Sequence, residues 1–308
     1  MEGGGSHVPG GTTPQPTEGC TQPPRRTSAV SWWRWTAAGF GVVLCGLVLM
    51  DGADRRPADA ARSVSLAGPT EPWPGDVRRL RLASFNIHSG RGADRRLDLG
   101  RTAAVLDEQL DVAGLNEVRA PWSGPNQAET LARHLGLAAA FAPTERQWWR
   151  DHFGNGILSR RPLAGILRCP LPGTRGKAFR NVVLAYLPFR DRTVKLLVTH
   201  IDREDDREHQ LAAVIRLFLA LEPPVVLMGD LNSTADDPQL VSLLDRADVS
   251  SALHDGLPDG PPLGTIDWLF HRGLRTVSAR LVAVDASDHP LLLAELALED
   301  ASDDLEAQ

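Results

Sequence analysis

The sequence predicts an α/β fold in which β-sheets are covered by helices, and two observations carry that expectation. From Val77 onward, short β-type runs recur with helical stretches between them. The three cysteines, Cys20, Cys45 and Cys169, are too scattered for an intradomain disulfide framework or a Cys-rich zinc site. The domain must therefore stand on its hydrophobic core, for which about 220 residues are ample.

The β-type runs are Leu80–Ile87, Val112–Val118, Gly156–Leu158, Asn181–Leu187, Val194–Ile201, Val225–Met228, Ile266–Phe270, Val277–Val284 and Leu291–Leu296. Helical periodicity marks Leu97–Leu110, Gln127–Leu135 and Asp205–Leu221. About nine strands and three or four helices make an α/β domain spanning residues 78–300. No internal repeat accompanies them.

The first 77 residues have a different character. Residues 1–30 are rich in Gly, Pro, Thr, Ser and Gln, a composition that predicts a disordered tail. Thr36–Met50 is an uncharged run of about 22 Å as a helix, and adding Ser31–Trp35 brings it to about 30 Å, enough to cross a bilayer. Trp32, Trp33 and Trp35 are placed as an interfacial belt, and Arg25 and Arg26 upstream put the N-terminus in the cytoplasm. The expectation is a single-pass signal anchor at 31–50 with the catalytic domain outside the cytoplasm. A cleaved signal peptide, releasing a secreted protein, and a buried core helix are the alternatives. Residues 51–77 read as a Pro-, Asp-, Ala- and Arg-rich linker, and 301–308 as an acidic tail.

Composition excludes some functions. At 42% hydrophobic and 23% charged, the chain is neither wholly disordered nor a multi-span membrane protein. The net charge of −6, with no strongly basic block, argues against holding nucleic acid mainly through a cationic surface. An enzyme that touches a few phosphates remains compatible. No H-E-x-x-H helix is present, which disfavours a zinc hydrolase.

Polar residues gather where the predicted strands end. Asn86 closes the first run, Asn116 and Glu117 sit in the second, and Asn155 opens the third. His200 ends VKLLVTH, Asp230 and Asn232 end VVLMGDLN, Asp267 begins the strand in TIDWLF, and Asp288-His289 precede the last strand. Singly, each has an ordinary explanation as a turn former or a structural histidine. Glu117 is harder to dismiss, because burying a carboxylate costs several kcal/mol unless a cation or donors compensate it. Together, they predict one polar cleft at one end of the sheets.

The fragments SFNIH, LNEV, GNGILSR, VTHID, GDLN, IDWLF and SDHP, in this order from Leu80 to Leu298, resemble the endonuclease/exonuclease/phosphatase superfamily. The resemblance implies a deoxyribonuclease-like four-layer sandwich: two packed mixed β-sheets flanked by helices. It also implies a divalent-metal phosphoesterase site using Mg²⁺, with Mn²⁺ as a substitute. Glu117 matches the principal metal ligand, with Asn86 supporting it and Asp288 as a second carboxylate. His289 matches the residue that activates the attacking water, and Asp267 the carboxylate that orients it. Asp230 and Asn232 match the pair that positions the nucleophile, and His200 the group that stabilises phosphoryl oxygens or protonates the leaving group. Asn155 and Arg180 resemble substrate-side phosphate contacts. Asn116 departs from the family, which most often has Gln there. The only tyrosine, Tyr186, lies inside an apolar strand, so the abasic-site enzymes are a poor match. The substrate is expected to be a phospholipid or small phosphoester, with DNA or RNA as the alternative and a non-catalytic binding protein as a weaker one. No protein partner is evident.

Overall fold

The computed structural model describes residues 30–53, 56–57, 62–106, 110–147, 150–173 and 179–299. Helix α1 (Val30–Ala53) contains the apolar run, and its stretch Trp33–Met50 is long and apolar enough to cross a membrane. A signal sequence passes the same test. The expected tail at 1–30, apart from Val30, and the acidic tail at 301–308 lie outside the described residues.

Among the described residues, the domain is built on two seven-stranded sheets. In the first, the order is β1 (Arg56–Pro57), β5 (Ala138–Gln147), β6 (Arg150–Ser159), β4 (Val112–Arg119), β3 (Arg79–Asn86), β14 (Leu291–Leu298) and β13 (Leu274–Val282). In the second, it is β11 (Ser250–Ser251), β12 (Asp267–Arg272), β10 (Val225–Asp230), β9 (Arg192–His200), β8 (Asn181–Phe189), β7 (Gly165–Pro170) and β2 (Arg62–Ser63). The β3–β4 and β9–β10 pairs are parallel and their neighbours antiparallel, so both sheets are mixed.

Alternation along each strand places one apolar set between the sheets. Leu82, Val112 and Ile157 of the first sheet share that core with Leu196, Val198 and Met228 of the second. Each such side chain contributes about 1.5–3 kcal/mol by leaving water. At Gly114 the sheets pack closely, since a Cβ there would lie 2.9 Å from both methyl carbons of Val198. Helices α2 (Leu99–Leu106) and α3 (Gln127–Leu135) cover the outer face of the first sheet, packing Ala103, Leu106, Ala128 and Leu131 against Phe85, Leu115 and Leu158. Asn126 caps α3 by accepting the Glu129 amide at 2.9 Å, and Gly136, at φ 65°, ends it. On the second sheet lie α4 (Arg207–Ala220) and α5 (Pro238–Leu244), through Leu211, Val214, Phe218 and Leu240. A short α6 (Ala252–Gly256) follows β11. The result is the four-layer arrangement that the motifs implied.

Besides the short β1, β2, β11 and α6, the structure adds β5, β7 and α5 to the expected elements. The β5 segment AAAFAPTERQ is rich in Ala and holds a Pro, both poor strand formers, and it is extended because β6 pairs along it. The expected linker also changes character at Arg62. Arg62–Ser63 pair with β7, Ala67 bridges to Ala139, and Trp73 donates its indole N–H to the Pro188 carbonyl at 2.7 Å while packing on Phe189. From Arg62 on, this segment is a strap laid on the domain, anchored by an aromatic that composition alone does not weigh.

Register brings the polar strand ends together. Asn86 is opposite Asn116, and Asp230 is opposite both His200 and Asp267.

Candidate active site

On the second sheet, the apolar β9 and β10 hold His200 and Asp230 side by side, with His200 Nε2 at 3.4 Å from Asp230 Oδ2. Gly229 makes this possible. Its φ is 142°, and a Cβ there would fall 1.8 Å from the Thr199 carbonyl oxygen. Any side chain would push β10 off β9, so GDLN needs its glycine. Asp230 Oδ1 accepts the Asn232 amide at 2.9 Å, and Asn232, at φ 45°, donates its side-chain N–H to the Ile201 carbonyl. Asn232 is thus committed to shaping the turn after β10.

On the first sheet, β4 breaks register against β6 between Leu115 and Val118. Glu117 sits in that bulge at φ 59°, a left-handed conformation that costs a non-glycine residue about 1–2 kcal/mol. The bulge lets a carboxylate leave an otherwise buried strand. The Asn86 amide nitrogen meets it at 3.3 Å, and also lies 3.0 Å from Asp230 Oδ2 and 3.4 Å from His289 Nε2. The Asn86 oxygen accepts the His88 backbone N–H at 3.0 Å, which fixes the orientation of the amide. Asn86, expected beside the metal, therefore aims its NH₂ and not its oxygen at the cluster. It supports Glu117 as a hydrogen-bond donor and bridges it to Asp230 and His289.

His289 Nδ1 is 2.8 Å from Asp267 Oδ2, and Nε2 is 3.8 Å from Asp230 Oδ2. Burial opposes its charge most strongly. The Asp267 hydrogen bond and the charges of Asp267, Asp230 and Asp288 outweigh that and push His289 up to about 9. Asp230 is raised to about 6 by burial and by Asp267, against the pull of His289. His200 goes the other way, well below its ordinary value, because it is buried and faces Arg180 and His289. Ser287 pins this loop: its hydroxyl donates to the Asn86 carbonyl at 2.7 Å and accepts the His289 amide at 3.1 Å. Asp288 is half-exposed, 3.2 Å from His88 Nδ1.

Beneath the carboxylates runs a chain of buried amides. Asn116 donates to Asn155 Oδ1 and to the Thr199 carbonyl, both at 2.9 Å, and accepts the Asp230 backbone N–H at 3.0 Å. Asn155 then donates to Asn181 Oδ1 at 2.9 Å, and Asn181 to the Pro143 carbonyl. The shortened amide at Asn116 is fully engaged and ties the two sheets together under Asp230. Asn155, expected at the phosphate, has its NH₂ spent on Asn181 and lies 1% exposed. Arg180 is half-buried; burial lowers its pKa against the attraction of Glu117, Asp202, Asp230 and Glu145, so its guanidinium faces the carboxylates. Sequence reasoning missed Asn181 and Ser287. Asn181 had a signal, an amide opening an apolar run just as Asn155 does.

The donor set suits a hard divalent cation. Asp230, Asp267 and His289 each offer a ligand atom within 4.8 Å of the others. Asp267 Oδ1 is buried without a hydrogen-bond partner among the described residues, and Asn86 is the one side-chain donor to Glu117 found there. All are oxygen or imidazole ligands, the kind Mg²⁺ and Mn²⁺ accept.

Converging carboxylates, imidazoles and amides at one end of a four-layer sandwich define a class of scaffold on which phosphoester hydrolysis is typically metal-dependent. The chain belongs to the Endonuclease/Exonuclease/phosphatase family, whose sequence profile matches residues 83–289. Its members are generally phosphoesterases and nucleases. An endonuclease/exonuclease/phosphatase from Beutenbergia cavernae DSM 12333 is 25% identical, with TM-score 0.61 over 73% of each chain. The human nocturnin catalytic domain with bound sulfate is 16% identical, with TM-score 0.57 over 77% of this chain and 98% of that one. D. rerio TDP2 complexed with a single-strand DNA product is 16% identical, with TM-score 0.52 over 71% and 98%. No curated protein matches the chain.

Proposed function

We propose that this protein is a membrane-anchored, divalent-metal-dependent hydrolase of phosphoester bonds, acting outside the cytoplasm on a phospholipid or small phosphoester by in-line attack of water. The observation that carries the reading is the Asp267–His289 pair at 2.8 Å, with Nε2 turned toward Asp230 and Asn86.

Glu117 would hold Mg²⁺ or Mn²⁺, with Asp288 as a second carboxylate and Asn86 fixing Glu117 by its amide. When bound, the cation neutralises charge on the phosphoryl oxygens. The remaining work belongs to this chain. Asp267 orients the His289 ring through Nδ1; His289 is charged in the metal-free site, and a cation that offsets Asp230 and Asp288 would lower its pKa and leave Nε2 to take a proton from water. Asp230, kept in place by the Asn232 amide and by Asn116, orients that water. His200, neutral in its buried position, hydrogen-bonds phosphoryl oxygen or the leaving group. Arg180 faces the carboxylates and supplies charge to the substrate phosphate. Asn155 acts through Asn116 and Asn181.

A nuclease is the second reading, favoured by the structural likeness to D. rerio TDP2 complexed with a DNA product. The full-length protein is tested with Mg²⁺ against bis(p-nitrophenyl) phosphate, sphingomyelin vesicles and plasmid DNA. Hydrolysis of the first two, lost in EDTA and in Glu117→Gln, is expected. Activity unchanged in EDTA overturns the metal dependence, and cleavage of DNA alone selects the nuclease.

A further inference from the structure

The rim beyond the catalytic strand ends is where the chain enters the domain. Arg56 and Pro57 of β1 pair there with Arg146 and Glu145, close to the end of β5. The end of β5 and the start of β6 lie at the same end as Glu117, since β6 runs from Arg150 at the rim past Gly156, opposite Leu115, to Ser159 opposite Val112. The pairing of β2 agrees: Arg62 is opposite Arg168 on β7, whose next residues run to Pro170, opposite Asn181. Ala53, the last residue of α1, precedes Arg56 by three residues, a covalent reach of at most about 11 Å.

The same rim carries an exposed aromatic. Trp122 follows β4 and is 68% exposed. Arg150 lies over its ring at 5.1 Å and donates to the Ala120 carbonyl at 2.7 Å, which holds the pair against the hairpin. The same end of β4, β5 and β6 carries Arg119 over Phe153 at 5.3 Å, and Arg62 and Arg146 flanking Asp151 at 3.8 and 3.6 Å, with Glu145 buried beside them in β5. A tryptophan amid arginines is the side-chain chemistry of the membrane–water interface, where the indole sits at headgroup level and guanidinium groups pair with anionic lipid.

We infer that the Trp122–Arg150 rim docks on the lipid surface in which the protein is anchored, turning the catalytic mouth toward the headgroups. The substrate class is then phospholipid in the same membrane. This inference rests on the reading of the chain as an anchored phosphoesterase. The partner is committed by the short reach from α1 to β1 and by the excess of arginine.

The test uses the full-length protein in nanodiscs containing phosphatidylserine. A nitroxide is placed at Trp122→Cys or, as reference, at Arg78→Cys, with the three native cysteines replaced by Ser. Arg78 is exposed and adjoins the start of β3, at the other end of the sheets. The label at 122 is expected to be accessible to oxygen and shielded from a water-soluble nickel reagent, while the label at 78 shows the reverse. Equal exposure of both to the nickel reagent overturns the docking. This readout needs no turnover, so it stands apart from any failure of the hydrolase reading. Where hydrolysis is found, Arg150→Gln is expected to lower turnover of vesicle phospholipid about fivefold, the worth of one arginine at an anionic surface, with bis(p-nitrophenyl) phosphate unaffected. Equal loss on both substrates, or on neither, overturns the substrate assignment.

Discussion

His200 and His289 both face Asp230 Oδ2, at 3.4 and 3.8 Å, yet the protein drives their protons in opposite directions. His200 ends a buried strand and has positive neighbours, Arg180 and His289, so it stays neutral. His289 is also penalised by burial, but its loop hands it Asp267 at 2.8 Å, with Asp230 and Asp288 close by, and it is pushed up to about 9. The difference teaches that burial alone does not set the protonation state here; a directed carboxylate does. Environments that push two groups apart are how one site obtains an acid and a base.

The most severe way to break this contrast is to remove His289. His289→Ala is expected to lower turnover of a phosphodiester by about 10²–10⁴, with Asp267→Asn giving a similar or smaller loss. Because the two act as a unit, the double variant should be little worse than His289→Ala. Additive rate losses in steady-state kinetics would dissolve the pair.

Asp230 sharpens the comparison from the other side. Its pKa rises from the ordinary 3.8 to about 6, so between those values the folded state binds more protons than the unfolded one. Stability therefore falls as pH rises through that window, and the cost is fully present above it, up to about 3 kcal/mol. Asp230→Asn should lose turnover yet melt a few degrees higher at pH 7 in EDTA. A lower melting temperature would mean that the charge is compensated.

Titration by NMR comes next. In EDTA, the His289 ring should titrate near 9 and His200 should stay neutral well below pH 6.5. Added Mg²⁺ should lower the His289 value, since a cation offsets Asp230 and Asp288. An unchanged value would place the cation elsewhere.

The smallest effect is far from the chemistry. His271, four residues along β12 from Asp267 at the strand's start, is lowered by burial to about 4, while Asp255 opposes the shift. Its unfolded value is near 6.5, so the unfolded state binds more protons between 4 and 6.5 and stability falls as pH drops through that range. His271→Gln should flatten the decline in melting temperature from pH 7 to 5 by a few degrees, without touching turnover at pH 7.

Much of this was legible beforehand. Apolar runs announced the strands, and the polar residues at their ends announced the cleft, because a carboxylate such as Glu117 after an apolar run demands compensation. Hydrogen-bond direction was not legible. That Asn86 presents its NH₂, because the His88 amide claims its oxygen, depends on a turn whose geometry no local pattern encodes. The Asn116–Asn155–Asn181 chain joins residues 39 and 26 positions apart, and only strand register aligns them. Similarly, β5 owes its extended form to its partner, and the strap owes its place to Trp73.

The bulge at Glu117 has a consequence for anyone who would reshape the protein. A glycine there would adopt φ 59° freely and would carry no carboxylate among the others. Glu117→Gly should therefore produce a scaffold that is inert and yet sturdier, so that selection for heat resistance alone would drift toward a silent binder. Whoever screens such libraries must score catalysis in the same round, or the backbone's own preference will erase it.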